Sequence, residues 1–167
     1  MTSTLDQLGA DIRKALKADP GIGGKEAVAK LVSTVLRDEA FVAKHLTPEQ
    51  CRPRKVLYED TELGFCICGH VYESAAHGGP HDHGPTWAIY GVAAGDTEMT
   101  EWRIVRKGEG EQATLVEPVE TYLMKPGDSH FYDVGVVHSP RREGPTKLLR
   151  IEGRNLDRVR RSNIKAA

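Results

Sequence analysis

From Lys55 onward the chain is broken at short, near-regular intervals by turn signals. They fall at Asp60-Thr61, Gly78-Gly79-Pro80, Gly95-Asp96, Gly108-Glu109-Gly110, Glu117-Pro118, Pro126-Gly127-Asp128, Val134-Gly135 and Gly144-Pro145. Between them stand β-branched and aromatic runs: Val56–Tyr58, Phe65–Tyr72, Trp87–Val92, Glu98–Val105, Ala113–Val116, Thr121–Met124, Ser129–Tyr132 and Lys147–Glu152. Side chains alternate along a strand, so each run offers one face to a core and one to its surroundings. Many short strands with Gly/Pro turns predict a mainly β fold, a sandwich or a barrel.

The first third obeys a different period. Leu5, Leu8, Ile12 and Leu16 recur at spacings of three and four, the stripe of an amphipathic helix, with Thr4 or Ser3 as N-cap. Pro20-Gly21-Ile22-Gly23-Gly24 reads as a loop that stops it. A second helix is predicted over Lys25 to Arg37 and a shorter one over Ala40 to His45. Thr47-Pro48-Glu49-Gln50 reads as a cap with proline at the first helical position, hence one more turn. The organisation expected is therefore a helical segment over 1–51 packed on a β sandwich or barrel over 52–153, then a polar, basic tail over 154–167 that ends in solvent.

Charge narrows the partners. Lys and Arg total 23 against 24 Asp and Glu, a net charge of -1. That balance lacks the basic excess that binding a phosphate backbone demands, so no nucleic-acid partner is expected. No apolar run approaches the ~18 residues of a membrane span, and none suits a secretory signal. Three cysteines, Cys51, Cys66 and Cys68, cannot all pair within the chain, which fits a reducing cytoplasm. Cys66 and Cys68 read as small buried hydrophobes on a strand.

The seven histidines are unevenly placed. His77, His81 and His83 stand close together, and on a strand His81 and His83 share a face. Paired imidazoles repel when protonated, whereas neutral ones can share a cation such as Zn, Fe, Cu or Ni. A third candidate, His138, follows the glycine turn of Asp133-Val134-Gly135-Val136-Val137 at the start of a strand. His130 is the rival third ligand; His77, His45 and His70 read as loop or structural residues. Three ligands on one side leave the other side of an ion open to substrate and O2.

These motifs resemble the cupins and, within them, the cysteine dioxygenase-like thiol dioxygenases. The first cupin motif matches His81-Asp82-His83-Gly84-Pro85-Thr86-Trp87 through Gly95, and the second matches Gly135-Val136-Val137-His138. An arginine on an early strand, which in relatives grips the substrate carboxylate, matches Arg54. The resemblance covers Arg52 to Gly153 and implies a double-stranded β-helix, or jelly-roll barrel, preceded by N-terminal α-helices. The glutamate that many cupins carry after the His pair is missing, which favours three neutral ligands. Ala88 stands where some relatives have a cysteine cross-linked to tyrosine, and Arg150 and Glu152 stand where many present His and Tyr.

The resemblance implies a mononuclear Fe(II) centre on His81, His83 and His138, with Zn, Ni or Mn as alternatives. The implied reaction is dioxygenation of a small anionic substrate, a thiol carboxylate such as cysteine or 3-mercaptopropionate, to a sulfinate. Arg54 or Arg150 would meet the substrate's charge, since a guanidinium donates two parallel hydrogen bonds to a carboxylate. Two other readings stand beside this one. A different metal could serve an isomerase, decarboxylase or lyase, with Glu152 or Glu98 as base, or the barrel could bind a small acid without catalysis. Pairing of such barrels through an N-terminal arm implies a homodimer.

Overall fold

The computed structural model describes residues 3–167. Four helices come first: α1 (Leu5–Ala18), α2 (Ile22–Val35), α3 (Glu39–His45) and the single turn α4 (Pro48–Cys51). Ten strands follow: β1 (Lys55–Glu59), β2 (Cys66–Tyr72), β3 (Ala76–His77), β4 (Ala88–Ala94) and β5 (Thr97–Arg106) are the first five. The others are β6 (Thr114–Met124), β7 (Ser129–Tyr132), β8 (Val137–Arg142), β9 (Thr146–Glu152) and β10 (Ile164–Ala166). They form two five-stranded sheets, ordered β1-β2-β9-β4-β7 and β10-β6-β5-β8-β3. The two sheets make the jelly-roll barrel, and the N-terminal helices cover the first of them.

Side-chain parity explains the layering. On β2, β4 and β9 the residues Ile67, Ile89, Leu149 and Ile151 join Leu8, Ile12, Val28, Val32 and Phe41 in a core shared with the helices. Each fully buried side chain of this kind contributes about 1.5–3 kcal/mol. The alternate residues face the barrel interior, where Ala88, Tyr90, Val92, Met99, Tyr132 and Leu148 form a second cluster. The register of β9 sets Cys66 opposite Glu152 and Cys68 opposite Arg150 on one side, and Ala88 opposite Glu152 and Tyr90 opposite Arg150 on the other. Polar and ionisable groups thus share the interior with apolar ones.

Helix boundaries follow local chemistry. Thr4 caps α1, its hydroxyl accepting from the Gln7 amide at 3.1 Å. The glycine-rich stretch expected as a loop starts α2 instead, at Ile22. A Cβ on Gly24 would fall 1.8 Å from the Asp19 carbonyl oxygen, so only glycine permits this tight entry. Gly91 does the same for the layer contact, since a Cβ there would meet Leu36 and Val32 at 2.5 and 2.6 Å.

Two strand expectations are corrected. Glu117-Pro118 is no turn: β6 runs unbroken through it as an 11-residue strand. The register against β5 shifts between Glu101 and Trp102, and the bulge absorbs the proline, which has no N–H to donate. The tail does not simply end in solvent either, because Ile164–Ala166 pairs in parallel with Thr114–Val116. None of the helices is long and apolar enough to cross a membrane.

Candidate metal centre

The backbone brings the histidines together. His81 and His138 form an antiparallel bridge, the His81 amide donating to the His138 carbonyl at 3.0 Å and the reverse bond measuring 2.9 Å. Their side chains therefore lie side by side. His83 follows in a turn where the Asp82 carboxylate accepts from the Gly84 amide at 3.0 Å, and Gly84 has φ +58°, a conformation glycine adopts without strain. One ring nitrogen from each of His81, His83 and His138 lies within 4.8 Å of the others. His83 Nε2 and His138 Nε2 are 3.2 Å apart.

The outward nitrogens fix which end of each ring faces the centre. His81 Nδ1–H donates to the Gly79 carbonyl at 2.9 Å, and His138 Nδ1–H donates to the Val136 carbonyl at 3.2 Å. A carbonyl only accepts, so both rings carry their proton on Nδ1 and turn the Nε2 lone pair inward. Glu152 faces the other side of His83, its Oε1 standing 3.9 Å from Nδ1. Burial lowers the pKa of all three imidazoles, and the positive charge of Arg150 adds to it. For His138 the value falls to about 3. Neutral imidazoles are the form that binds metal.

Tyr90 was not separable in sequence from the other core aromatics, and it stands at the heart of the site. Its hydroxyl lies 3.3 Å from His81 Nε2, 3.0 Å from His83 Nε2 and 3.3 Å from His138 Nε2. A tetrahedral ion with bonds of ~2.0–2.1 Å has donor-to-donor edges of about 3.3 Å. The His83–His138 edge of 3.2 Å and the three edges to the Tyr90 hydroxyl match that value and suit a divalent cation. Parity is the signal that could have found Tyr90: it lies two residues beyond Ala88 on the same strand face.

The remaining expected site residues sort cleanly. Arg54 Nη2 pairs with Glu152 at 3.3 Å, and its Nη1 pairs with Asp157. Arg150 Nη1 also pairs with Glu152 at 3.3 Å, and its guanidinium lies 4.4 Å over the Tyr90 ring. Glu152 is thus held between two arginines, which disfavours it as a free base. Glu98 is exposed, outside the barrel interior. His130 does not join the three histidines; its ring lies tilted against Tyr132 at 4.6 Å and Tyr122 at 5.2 Å. His77 is exposed and pairs with Glu143 at 3.4 Å.

Cys66 and Cys68 are buried as expected, yet they are not in apolar surroundings. Their sulfurs are 3.6 Å apart, Cys66 Sγ lies 3.9 Å from Glu152, and Cys68 Sγ accepts from Arg54 at 3.5 Å. The hydrogen bond with Cys68 and burial push the Cys66 thiol up, so it stays protonated.

No family model and no curated protein matches this chain. Among solved structures it is similar to KdgF from Halomonas sp., with 19% identity and a TM-score of 0.45 over 62% of this chain and 80% of that one. A cupin-2 domain protein from Shewanella frigidimarina has 16% identity and a TM-score of 0.43, over 61% and 80% of the two chains. The hydroquinone 1,2-dioxygenase PnpCD, solved with Cd2+ and 4-hydroxybenzonitrile, has 15% identity and a TM-score of 0.47, over 60% and 64%. A cupin-2 domain protein is thus among the structures this mainly β chain is similar to, and its described residues include a three-histidine group able to hold a metal.

Proposed function

We propose that the protein is a mononuclear Fe(II) dioxygenase that converts a small thiol carboxylate to its sulfinate. The observation that carries this reading is the convergence of three neutral imidazole nitrogens, with no carboxylate among them, beside an arginine-lined cavity. Three neutral ligands leave an ion its full positive charge, which favours an anionic donor such as a thiolate. When bound, ferrous iron supplies the redox chemistry by which a thiolate and O2 combine, both oxygen atoms ending in the sulfinate. His81, His83 and His138 would hold it. The Gly79 and Val136 carbonyls keep two of those rings oriented. Arg54 and Arg150 hold the substrate carboxylate, exchanging part of their pairing with Glu152 for it. Buried Tyr90 and Tyr132 wall the site against water.

The test is oxygen consumption by iron-loaded protein with cysteine, 3-mercaptopropionate and matched acids lacking sulfur. One O2 taken up per thiol, with a product heavier by two oxygen atoms, is expected. No thiol-dependent uptake by fully iron-loaded protein overturns the reading.

A second reading, non-redox chemistry on zinc, nickel or manganese, draws support from the Tyr90 hydroxyl, which completes a three-nitrogen, one-oxygen set suited to zinc. Zinc in protein isolated from its own cell, together with no O2 uptake, would favour it.

A further inference from the structure

A cavity of about 480 Å³ reaches His81, and its wall carries four arginines, Arg54, Arg142, Arg150 and Arg161, with no Asp or Glu in the lining. Arg54 and Arg150 are answered from behind the wall by Glu152 and Asp157. Four guanidiniums against two carboxylates leave two positive charges in excess.

Arg142 and Arg161 carry that excess, and of the two only Arg142 is buried. It is 2% exposed, and its Nε and Nη2 have no hydrogen-bond partner among the described residues. Its guanidinium carbon lies 4.6 Å from the centre of the Tyr72 ring. His70, also 2% exposed, lines the same cavity with both ring nitrogens unpartnered, and Arg150 Nε is unpartnered too. Buried donors are normally satisfied, and a buried charge is normally paired. Arg142, Arg150 and His70 all line this cavity and keep buried polar atoms without a partner, so their side chains suit an anionic ligand.

We propose that this cavity binds a small dianion, one anionic group meeting Arg54 and Arg150 and the second meeting Arg142 and His70. The inference deepens the function proposed above and rests on its placing of the substrate beside the histidines. It adds that the substrate carries a second anionic group, a carboxylate or a phosphoryl group, in addition to any metal-binding atom. A simple monocarboxylate leaves Arg142 unanswered.

The experiment is calorimetric binding to zinc-loaded protein under nitrogen, so that no turnover is needed and a failure of the oxidation chemistry leaves the result readable. The probes are butyrate, succinate and 3-phosphonopropionate, which share a carboxylate and differ at the far end. Succinate or 3-phosphonopropionate is expected to bind at least about tenfold tighter than butyrate, a difference of roughly 1.4 kcal/mol. Whichever of the two binds more tightly identifies the second anionic group. Arg142→Met is expected to bring the dianion to butyrate's affinity while leaving butyrate itself unchanged. Arg142→Lys should restore part of the preference. Equal binding of all three probes, no binding of any, or a preference that survives Arg142→Met would overturn the proposal. If Arg142→Met does not fold, the wild-type series decides alone.

Discussion

The Tyr90 hydroxyl lies 3.0 Å from Nε2 of His83, and it keeps nearly the same distance from the other two histidines of the group. A hydroxyl proton serves one lone pair at a time, so in the protein without a cation the Tyr90 hydroxyl donates to a single imidazole of the group. Tyr90→Phe removes that donor and little volume. We expect it to lower the stability of the metal-free protein by about 0.5–1.5 kcal/mol, the net worth of one hydrogen bond. Metal stoichiometry should be unchanged, because the imidazoles remain. Loss of metal from this variant, measured by elemental analysis, would show that the oxygen is obligatory.

Asp60 joins the helical layer to the barrel. Its buried carboxylate accepts from Arg13 at 2.7 Å, from Tyr58 at 3.2 Å, and from the Leu63 and Glu62 amides at 2.7 and 3.0 Å. Burial alone would raise its pKa, but these bonds outweigh burial and hold it below the ordinary value of 3.8. A carboxylate with a depressed folded-state pKa stabilises the fold above its unfolded pKa and loses that contribution as pH falls. The stability gap between wild type and Asp60→Asn should therefore be widest near neutrality and shrink between about pH 5 and pH 2. Chemical denaturation across that range measures it, and a constant gap would contradict the assignment.

Gly91 lets α2 sit against β4. A methyl group there would press into Leu36 and Val32, so Gly91→Ala should destabilise by about 1–3 kcal/mol, the usual range for overpacking. The interior face of β4 is untouched by this change, so the variant should still bind one metal ion at temperatures where it is folded. An unchanged melting temperature would mean that the helix rides less closely on the sheet.

Much of this arrangement could be read from the chain. The three- and four-residue spacing before His45 marked the helices, and turn chemistry marked most strands, because both are local. His81 and His83 were conspicuous as neighbours, and the glycine turn marked His138. Arg150 and Glu152 were reachable through the last strand, and the register of β9 puts them inside the barrel. What stayed hidden depends on pairing. Arg142 stands between exposed Arg141 and Glu143, and only the pairing of β8 with its neighbours turns it inward. Tyr90 looked like any core aromatic until its strand was set opposite Arg150. Pro118 imitated a turn because nothing local reveals a bulge formed with a distant strand.

The central claim is that His81, His83 and His138 together hold one metal ion. The direct measurement is metal content after loading with Fe(II) without oxygen, and separately with Zn(II), followed by removal of free ion. Wild type should retain one equivalent per chain, and His81→Ala, His83→Ala and His138→Ala should each retain almost none while staying folded by circular dichroism. A folded His138→Ala variant that keeps a full equivalent would contradict the claim.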